Sequence, residues 1–201
     1  MSAATEISPS EEIRAKLNHP VVDCDGHYIE FMPYYLDFVE EVAGAEMVET
    51  FRRNHIGEGR LTPTRWHNMS REERQHQLRW RRPFYALPTK LVQDRATSMI
   101  PRHRYRRMDE LGDECSVLYP TLGLDMLFIK NDEIRQAACR ALNKMNAAVW
   151  AEFSDRMAPV AAIPTTTPEE GIAELDYAIG ELGLKGIMIS GNVHRHVPLF
   201  E

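Results

Sequence analysis

The stretch V-V-D-C-D-G-H-Y-I-E at residues 21–30 joins a short apolar run to a cluster of polar side chains. Its two β-branched residues favour an extended strand, which the sequence predicts over residues 21–25. Alternate side chains of a strand share one face, so Asp23, Asp25 and His27 are expected to point the same way. Cys24 alternates away from Asp25 and is expected to pack in the core.

The polar cluster has the composition of a cation site. An Asp and a His two positions apart, here Asp25 and His27, offer the oxygen and nitrogen donors that zinc, manganese or iron accept. Gly26 lets the backbone turn sharply or approach a bound group closely. Polar side chains at the tip of an apolar strand are costly unless something pairs with them. The pattern predicts either a metal or catalytic site or a hydrogen-bonded structural cluster.

The composition is that of a globular protein. The chain has 201 residues, of which 43% are apolar and 27% charged, so it can form one sizeable domain or part of a larger one. Its net charge of −6 argues against general affinity for nucleic acids or membranes.

The cysteines and the N-terminal residues indicate a cytoplasmic protein. Cys24, Cys115 and Cys139 are odd in number and widely spaced, which is typical of reduced, buried thiols. Residues 1–18 lack an apolar signal core and form an N-terminal lead-in. No apolar run approaches the roughly 20 residues of a membrane span.

Four short apolar runs predict strands near residues 21–25, 115–120, 157–163 and 185–190, each followed by helical sequence. A helix over about 132–153 has Asn131 or Asp132 as its N-cap, and another runs from Pro168 to a stop at Gly183, with Thr167 as its N-cap. Gly112 suits the C-terminal cap of the helix before the second strand. This alternation predicts parallel strands joined by helical crossovers.

Polar residues follow the predicted strands at their carboxyl ends. That edge carries the active site both in a (β/α)8 barrel and in an open doubly wound sheet. No G-x-G-x-x-G follows the first strand, which weighs against a dinucleotide site.

Four segments in order resemble one family. They are D-C-D-G-H-Y-I-E, R-M-D-E-L-G-D-E-C-S-V-L-Y-P-T-L-G-L, A-P-V-A-A-I-P with T-P-E-E-G-I-A-E-L, and L-G-L-K-G-I-M-I-S-G-N. Together they are similar to the amidohydrolase-2, or amidohydrolase-related, family of metal-dependent hydrolases and non-oxidative decarboxylases. The resemblance runs from about residue 20 to the end, apart from residues 50–100.

The resemblance implies a (β/α)8 TIM-barrel fold, of which residues 19–201 hold about the first four β/α units. A helical, arginine-rich insertion at about 45–105 would follow the first strand. Asp25 and His27 fall on the family's first metal pair, for zinc or, alternatively, manganese. The other ligands lie on later strands, beyond Glu201, so a homo-oligomer or a missing C-terminal half is the expected partner.

The resemblance also implies a reaction class. It is hydrolysis or decarboxylation of a small, carboxylated organic substrate. The alternative is a catalytically incomplete partial barrel that acts as an interaction subunit or is a truncated fragment.

Further candidates each have a structural interpretation beside the functional one. Tyr119 and Thr121 follow the second strand and either line the substrate pocket or pack in the core or a turn. Asn192 follows the fourth strand and is a further candidate for the pocket. His194, with His196, either reaches a metal or an anionic substrate or is an ordinary loop histidine.

Two acidic residues are candidates for orienting the metal ligands. Asp23 and Glu30 would act through His27, although a surface carboxylate at the start of a helix is an equal interpretation of Glu30. Asp109 is expected to be structural, paired with Arg106 or Arg107.

Residues 71–107 hold ten arginines and one lysine against three acidic residues, with aromatic residues between them. Such a stretch can bind nucleic acid, but protein interfaces also enrich arginine and aromatics. We expect a lid or a dimer contact, with some arginines steering a carboxylate substrate.

Overall fold

The computed structural model describes residues 7–53, 69–76 and 92–191. Four strands form one parallel sheet in the order of the chain, as the sequence predicts. They are β1 (Val22–Tyr28), β2 (Cys115–Pro120), β3 (Met157–Ala162) and β4 (Gly186–Met188). With helices between consecutive strands, this is a partial (β/α) barrel.

The helices in the described residues follow the predicted alternation. They are α1 (Pro9–Arg14), α2 (Met32–Phe51), α3 (Arg71–His76), α4 (Val92–Met99), α5 (Pro101–Leu111), α6 (Asp132–Trp150) and α7 (Pro168–Leu175). A 3₁₀ segment, Gly123–Phe128, follows β2, and π-helical turns, Asp176–Glu181, extend α7 toward β4. The described parts of residues 45–105 are mostly helical. Among the described residues, no helix is both long and apolar enough to cross a membrane.

Local capping signals explain where these helices begin and end. The side chain of Asn131 accepts a hydrogen bond from the N–H of Ile134, at 2.9 Å, and starts α6. Thr167 and Glu170 form a capping box at the start of α7. Gly112, with φ of 84°, ends α5 in the left-handed conformation that glycine adopts without strain. The predicted caps are therefore confirmed.

Several boundaries differ from the prediction, and β4, for example, spans Gly186–Met188 rather than residues 185–190. β1 continues to Tyr28 instead of ending at residue 25, because pairing with β2 extends through Tyr28 opposite Pro120. The apolar period of residues 34–42 predicts a helix after the first strand, and the helix found there is longer, since α2 continues to Phe51 across a non-helical residue, Gly44.

The core lies between the sheet and the helices. In β2, Ser116, Leu118 and Pro120 are buried, whereas the residues that alternate with them are half-buried. α2 packs against α6, where the hydroxyl of Tyr35 donates to the carbonyl of Ala138 at 3.0 Å. Fully burying a large apolar side chain stabilises the fold by about 1.5–3 kcal/mol, so this packing holds the sheet and helices together.

An asparagine joins α6 to β3. The side-chain amide of Asn143 donates to the carbonyl of Ala162 at 3.0 Å, and its oxygen accepts from the N–H of Ala162 at 2.7 Å. Asn143 has no exposed surface. Its two bonds satisfy backbone groups at the end of β3 that would otherwise be buried without partners.

Candidate metal site at the end of the first strand

A β-bulge interrupts β1 inside the polar cluster. Asp23 pairs with Ser116 and Gly26 pairs with Leu118, so two residues of β1 lie opposite the single residue Val117. These two residues are Cys24 and Asp25, and both are exposed. A bulge adds one residue to one strand and therefore breaks its alternation.

The bulge corrects two predictions. The register places Asp23 on the face of Ser116, toward α5, where its carboxylate lies 3.5 Å from the guanidinium of Arg104. Asp23 therefore does not share a face with His27, and Cys24 is exposed rather than packed in the core. The expectation of buried thiols holds for Cys139, while Cys115 is half-buried.

The register leaves Asp25, like Cys24, opposite Val117 of β2. Val117 shares a face of β2 with Tyr119, the residue that pairs with His27. The N–H of Asp25 donates to Oδ1 of Asp23 at 3.0 Å. The carboxylate of Asp25 is thus carried on a bulge whose backbone is held from within β1.

His27 is oriented by Thr121 after β2. Nδ1 of His27 lies 3.3 Å from Oγ1 of Thr121, and the rings of His27 and Tyr119 are 6.1 Å apart between centroids. Thr121 is buried, and its N–H donates to the carbonyl of Tyr28 at 3.0 Å. This contact occupies Nδ1, so Nε2 is the candidate ligand atom of His27.

Glu30 is buried, and the interpretation as a surface carboxylate is wrong. It is 4% exposed, and its two oxygens accept hydrogen bonds from the N–H groups of Leu122, at 2.9 Å, and Gly123, at 2.6 Å. The turn that Glu30 holds begins next to Thr121. Glu30 therefore holds the backbone next to Thr121, whose hydroxyl contacts His27.

Sequence reasoning missed Arg104. This residue is 8% exposed and donates from Nη1 to the carbonyl of His27 at 2.9 Å. The available signal was its position one turn before Met108, on the buried face of α5. Burial lowers the pKa of Arg104, while the carboxylates of Asp23 and Asp113 act to raise it.

The remaining candidates either lie outside the described residues or have a different partner from the expected one. Asn192, His194 and His196 lie outside the described residues. Asp109 pairs with Arg156, at 2.9 Å, rather than with Arg106 or Arg107, because α5 presents it to the residue that precedes β3. Within residues 7–53, 69–76 and 92–191, no three or more His, Cys, Asp or Glu side chains form a group able to hold a metal ion.

The sequence model of one family, described as amidohydrolase, matches residues 22–199. Among solved structures, the chain is similar to 5-carboxyvanillate decarboxylase from Novosphingobium aromaticivorans, which holds manganese and 3-methoxy-4-hydroxy-5-nitrobenzoic acid. The TM-score is 0.54 and the identity 15%, over 89% of this chain and 44% of that one.

It is also similar to 2,6-dihydroxybenzoate decarboxylase from Rhizobium, with a TM-score of 0.48 and 18% identity, over 89% of this chain and 40% of that one. The chain thus spans less than half the length of these structures. No curated protein matches it.

Proposed function

Because this chain belongs to the amidohydrolase family, we propose that it supplies the first strands of a metal-dependent decarboxylase or hydrolase site. The observation that carries the proposal is the arrangement at the end of β1. There, Asp25 lies on an exposed bulge and His27 has its Nδ1 held by Thr121. A histidine fixed through one ring nitrogen is the usual form of a metal ligand.

The donor types fit a divalent cation. Asp25 offers carboxylate oxygens and His27 offers Nε2, which suits zinc, with manganese as the second metal to test. When bound, the cation would lower the pKa of a water for hydrolysis or bind a substrate carboxylate for decarboxylation. Two donors are only part of a coordination shell, so the other ligands must come from elsewhere in a complete site.

The proposed substrate is a small, carboxylated organic molecule. Tyr119 lies beside His27 on the same face of the sheet and would line the pocket, with Thr121 holding the imidazole in place. Ser98, within the segment proposed as the insertion, lies beside the end of β1, since its carbonyl accepts from the N–H of Ile29 at 2.7 Å. We assign the insertion at about 45–105 to covering the pocket or to a dimer contact.

A second candidate function is a non-catalytic partial barrel that binds another protein. It is favoured by the absence, within the described residues, of a third metal donor near Asp25 and His27. In either case the partner would be a second copy of the chain or further strands of the barrel. The three unpaired cysteines support a cytoplasmic location.

The test is to measure bound zinc and manganese, and turnover of carboxylated aromatics, esters, amides and lactones. The 201-residue chain and a chain extended by further barrel strands are compared side by side. We expect weak metal binding and little or no activity from the short chain, because an open site leaves its electrostatic contributions exposed to water. The extended chain should bind metal stoichiometrically and turn over substrate.

Substitutions then assign the ligands. In the extended chain, Asp25→Ala with His27→Ala should abolish both metal content and activity, whereas His19→Ala, at an exposed histidine before β1, should change neither. Retention of metal and activity by the double variant would refute the assignment. Robust metal-dependent turnover by the short chain, lost in His27→Ala, would instead show that a homo-oligomer completes the site.

A further inference from the structure

Arg104 contacts both segments of β1 that carry the candidate ligands. We propose that Arg104 is a positioning residue, which with Asp23 holds the bulge so that Asp25 and His27 face the site together. The role given to Arg104 rests on the proposed function, whereas the contacts that Arg104 makes do not depend on a bound metal.

The contacts form a continuous chain from α5 to both candidate ligands. Nη1 of Arg104 donates to the carbonyl of His27 at 2.9 Å, and Nη2 lies 3.5 Å from Oδ2 of Asp23. The other oxygen of Asp23 accepts from the N–H of Asp25 at 3.0 Å. One guanidinium therefore restrains the backbone on both sides of Gly26.

Gly26 makes room for this guanidinium. A Cβ added there would lie 2.9 Å from Nη2 of Arg104, 2.9 Å from Oδ2 of Asp23 and 2.8 Å from the carbonyl oxygen of Val117. The backbone carbonyl of Val117 on one side and the partly buried ion pair on the other leave no space for a side chain unless that pair shifts. The glycine between the two candidate ligands thus lets the guanidinium approach the backbone closely.

A purely structural role does not explain a buried arginine here. The Nε of Arg104 is buried and has no hydrogen-bond partner in the part of the chain that the structure describes. Replacing both partners of a buried ion pair by well-packed apolar residues often costs nothing in stability. What an apolar residue cannot do is donate in two directions from one planar group, to Asp23 and to the carbonyl of His27.

The experiment compares Arg104→Met and Arg104→Lys with the unaltered 201-residue chain. The matched control is Arg102→Met on the same helix, where the arginine forms an exposed pair with Glu152. Amide hydrogen exchange follows the N–H of Asp25, and ¹⁵N shifts follow the imidazole of His27. Broadening of the same signals by added Mn²⁺ reports the metal pair, even when binding is weak.

In Arg104→Met we expect the Asp25 amide to exchange about tenfold faster, with the exchange of β3 amides unchanged. Half-maximal broadening at Asp25 and His27 should require several times more Mn²⁺. Arg104→Lys should recover part of both effects, because lysine keeps the charge but not the planar fork. Arg102→Met should match the unaltered chain.

If Arg104→Met leaves the Asp25 exchange rate and the His27 shifts unchanged, the inference is wrong. Should that variant unfold, Asp23→Asn tests the same link with a nearly isosteric side chain, and an unchanged Asp25 amide there would also overturn it. If the unaltered chain shows no Mn²⁺ broadening at Asp25 and His27, the metal assignment fails. The exchange rates then still decide the role of Arg104.

Discussion

The backbone of Gly123, next to the predicted site, is tightly packed against its neighbours. A Cβ on this residue would lie 2.5 Å from Cδ2 of Leu142, 2.8 Å from Cβ of Pro120 and 2.9 Å from Oε1 of Glu30. Its N–H donates to that same Glu30 oxygen. The absence of a side chain therefore lets a buried carboxylate reach the backbone after β2.

Gly123→Ala is expected to destabilise the fold by about 1–3 kcal/mol, because overpacking forces neighbours or backbone to move. Gly180→Ala, in the helical segment before β4, is the control, since a Cβ there meets nothing within 4 Å. It should be neutral or slightly stabilising, as alanine favours helix over glycine. Urea unfolding of both variants measures the difference, and equal stabilities would contradict this account.

Thr121→Val tests the orientation of His27 with a change of one buried hydroxyl. Without Oγ1, Nδ1 of His27 loses its partner, so the imidazole should sample both neutral tautomers. We expect averaged ¹⁵N imidazole shifts in the valine variant and unaltered shifts in Thr121→Ser, which keeps the hydroxyl. A valine variant with the shifts of the unaltered chain would show that Thr121 does not set the tautomer.

At the scale of elements, two glutamates of α7 respond to burial in opposite ways. Burial acts to raise the pKa of Glu170, but hydrogen bonds from Arg135 and from the N–H groups of Thr167 and Thr166 outweigh it and lower that pKa. Burial dominates at Glu174 and raises its pKa, despite the hydrogen bond from Asn143. The pairing of Arg135 with Glu170, at 2.7 Å, is almost fully buried.

These opposite shifts predict opposite pH dependences of stability. Folded Glu170 keeps its charge to a lower pH than unfolded Glu170, so its contribution is complete above the ordinary pKa of 4.5 and is lost as pH falls through the lowered folded pKa. Folded Glu174 takes up its proton at a higher pH than unfolded Glu174. Its contribution is therefore complete below 4.5 and is lost as pH rises through the raised folded pKa.

Glu170→Gln should therefore reduce the loss of folding stability that occurs as the pH falls. Glu174→Gln should reduce the loss of folding stability that occurs as the pH rises. Urea titrations between about pH 3 and pH 7 measure both slopes. Glu170→Gln should also destabilise the fold near neutral pH, by up to about 3–5 kcal/mol, because it leaves the buried charge of Arg135 with only the exposed Asp132 as a carboxylate partner. Parallel pH profiles for the two variants would rule out this assignment of signs.

The elements were predictable where their signals are local. Asn131, Thr167 and Gly112 each mark a helix end within a few residues of sequence, and the apolar runs gave the four strands. The bulge in β1 was not predictable, because it is defined by what lies opposite it in β2. For the same reason, nothing near Asp109 indicates that its partner is Arg156.

The same difference between local signals and contacts with distant residues applies to the candidate site. Asp25 and His27 stand out in the sequence by type and spacing. The burial of Glu30 and the role of Arg104 depend on a turn and a helix that are distant along the chain. The sequence thus singles out candidate residues by type, whereas the hydrogen-bond partners of Glu30 and Arg104 are visible only in the packed structure.

For the whole molecule, β4 is an edge of the described sheet, and it is apolar. It pairs only with β3 among the described strands, and Ile187 in β4 and Ile189 just after it are 45% and 56% exposed. Open, apolar edge strands favour pairing with another chain. We therefore propose that the 201-residue chain self-associates through this edge.

Ile187→Lys with Ile189→Lys should weaken self-association while changing stability little, since both side chains are exposed. Ile172→Lys, at a position of α7 that is 60% exposed, is the control and should leave association unaltered. Sedimentation equilibrium measures the association constant. An identical constant in the double variant would place the contact elsewhere.

Because the bulge exposes Cys24, the reactivities of the chain's cysteines can be used to time the opening of its fold. Cys24 is open to solvent, while Cys139 has no exposed surface and burial raises the pKa of its thiol. Because the thiolate is the reactive form, an alkylating reagent should modify Cys24 at once and Cys139 only when the core opens. Counting added mass over time would thus read the opening rate of the native fold from its own cysteines. A cation held at the neighbouring Asp25 would slow the first step alone.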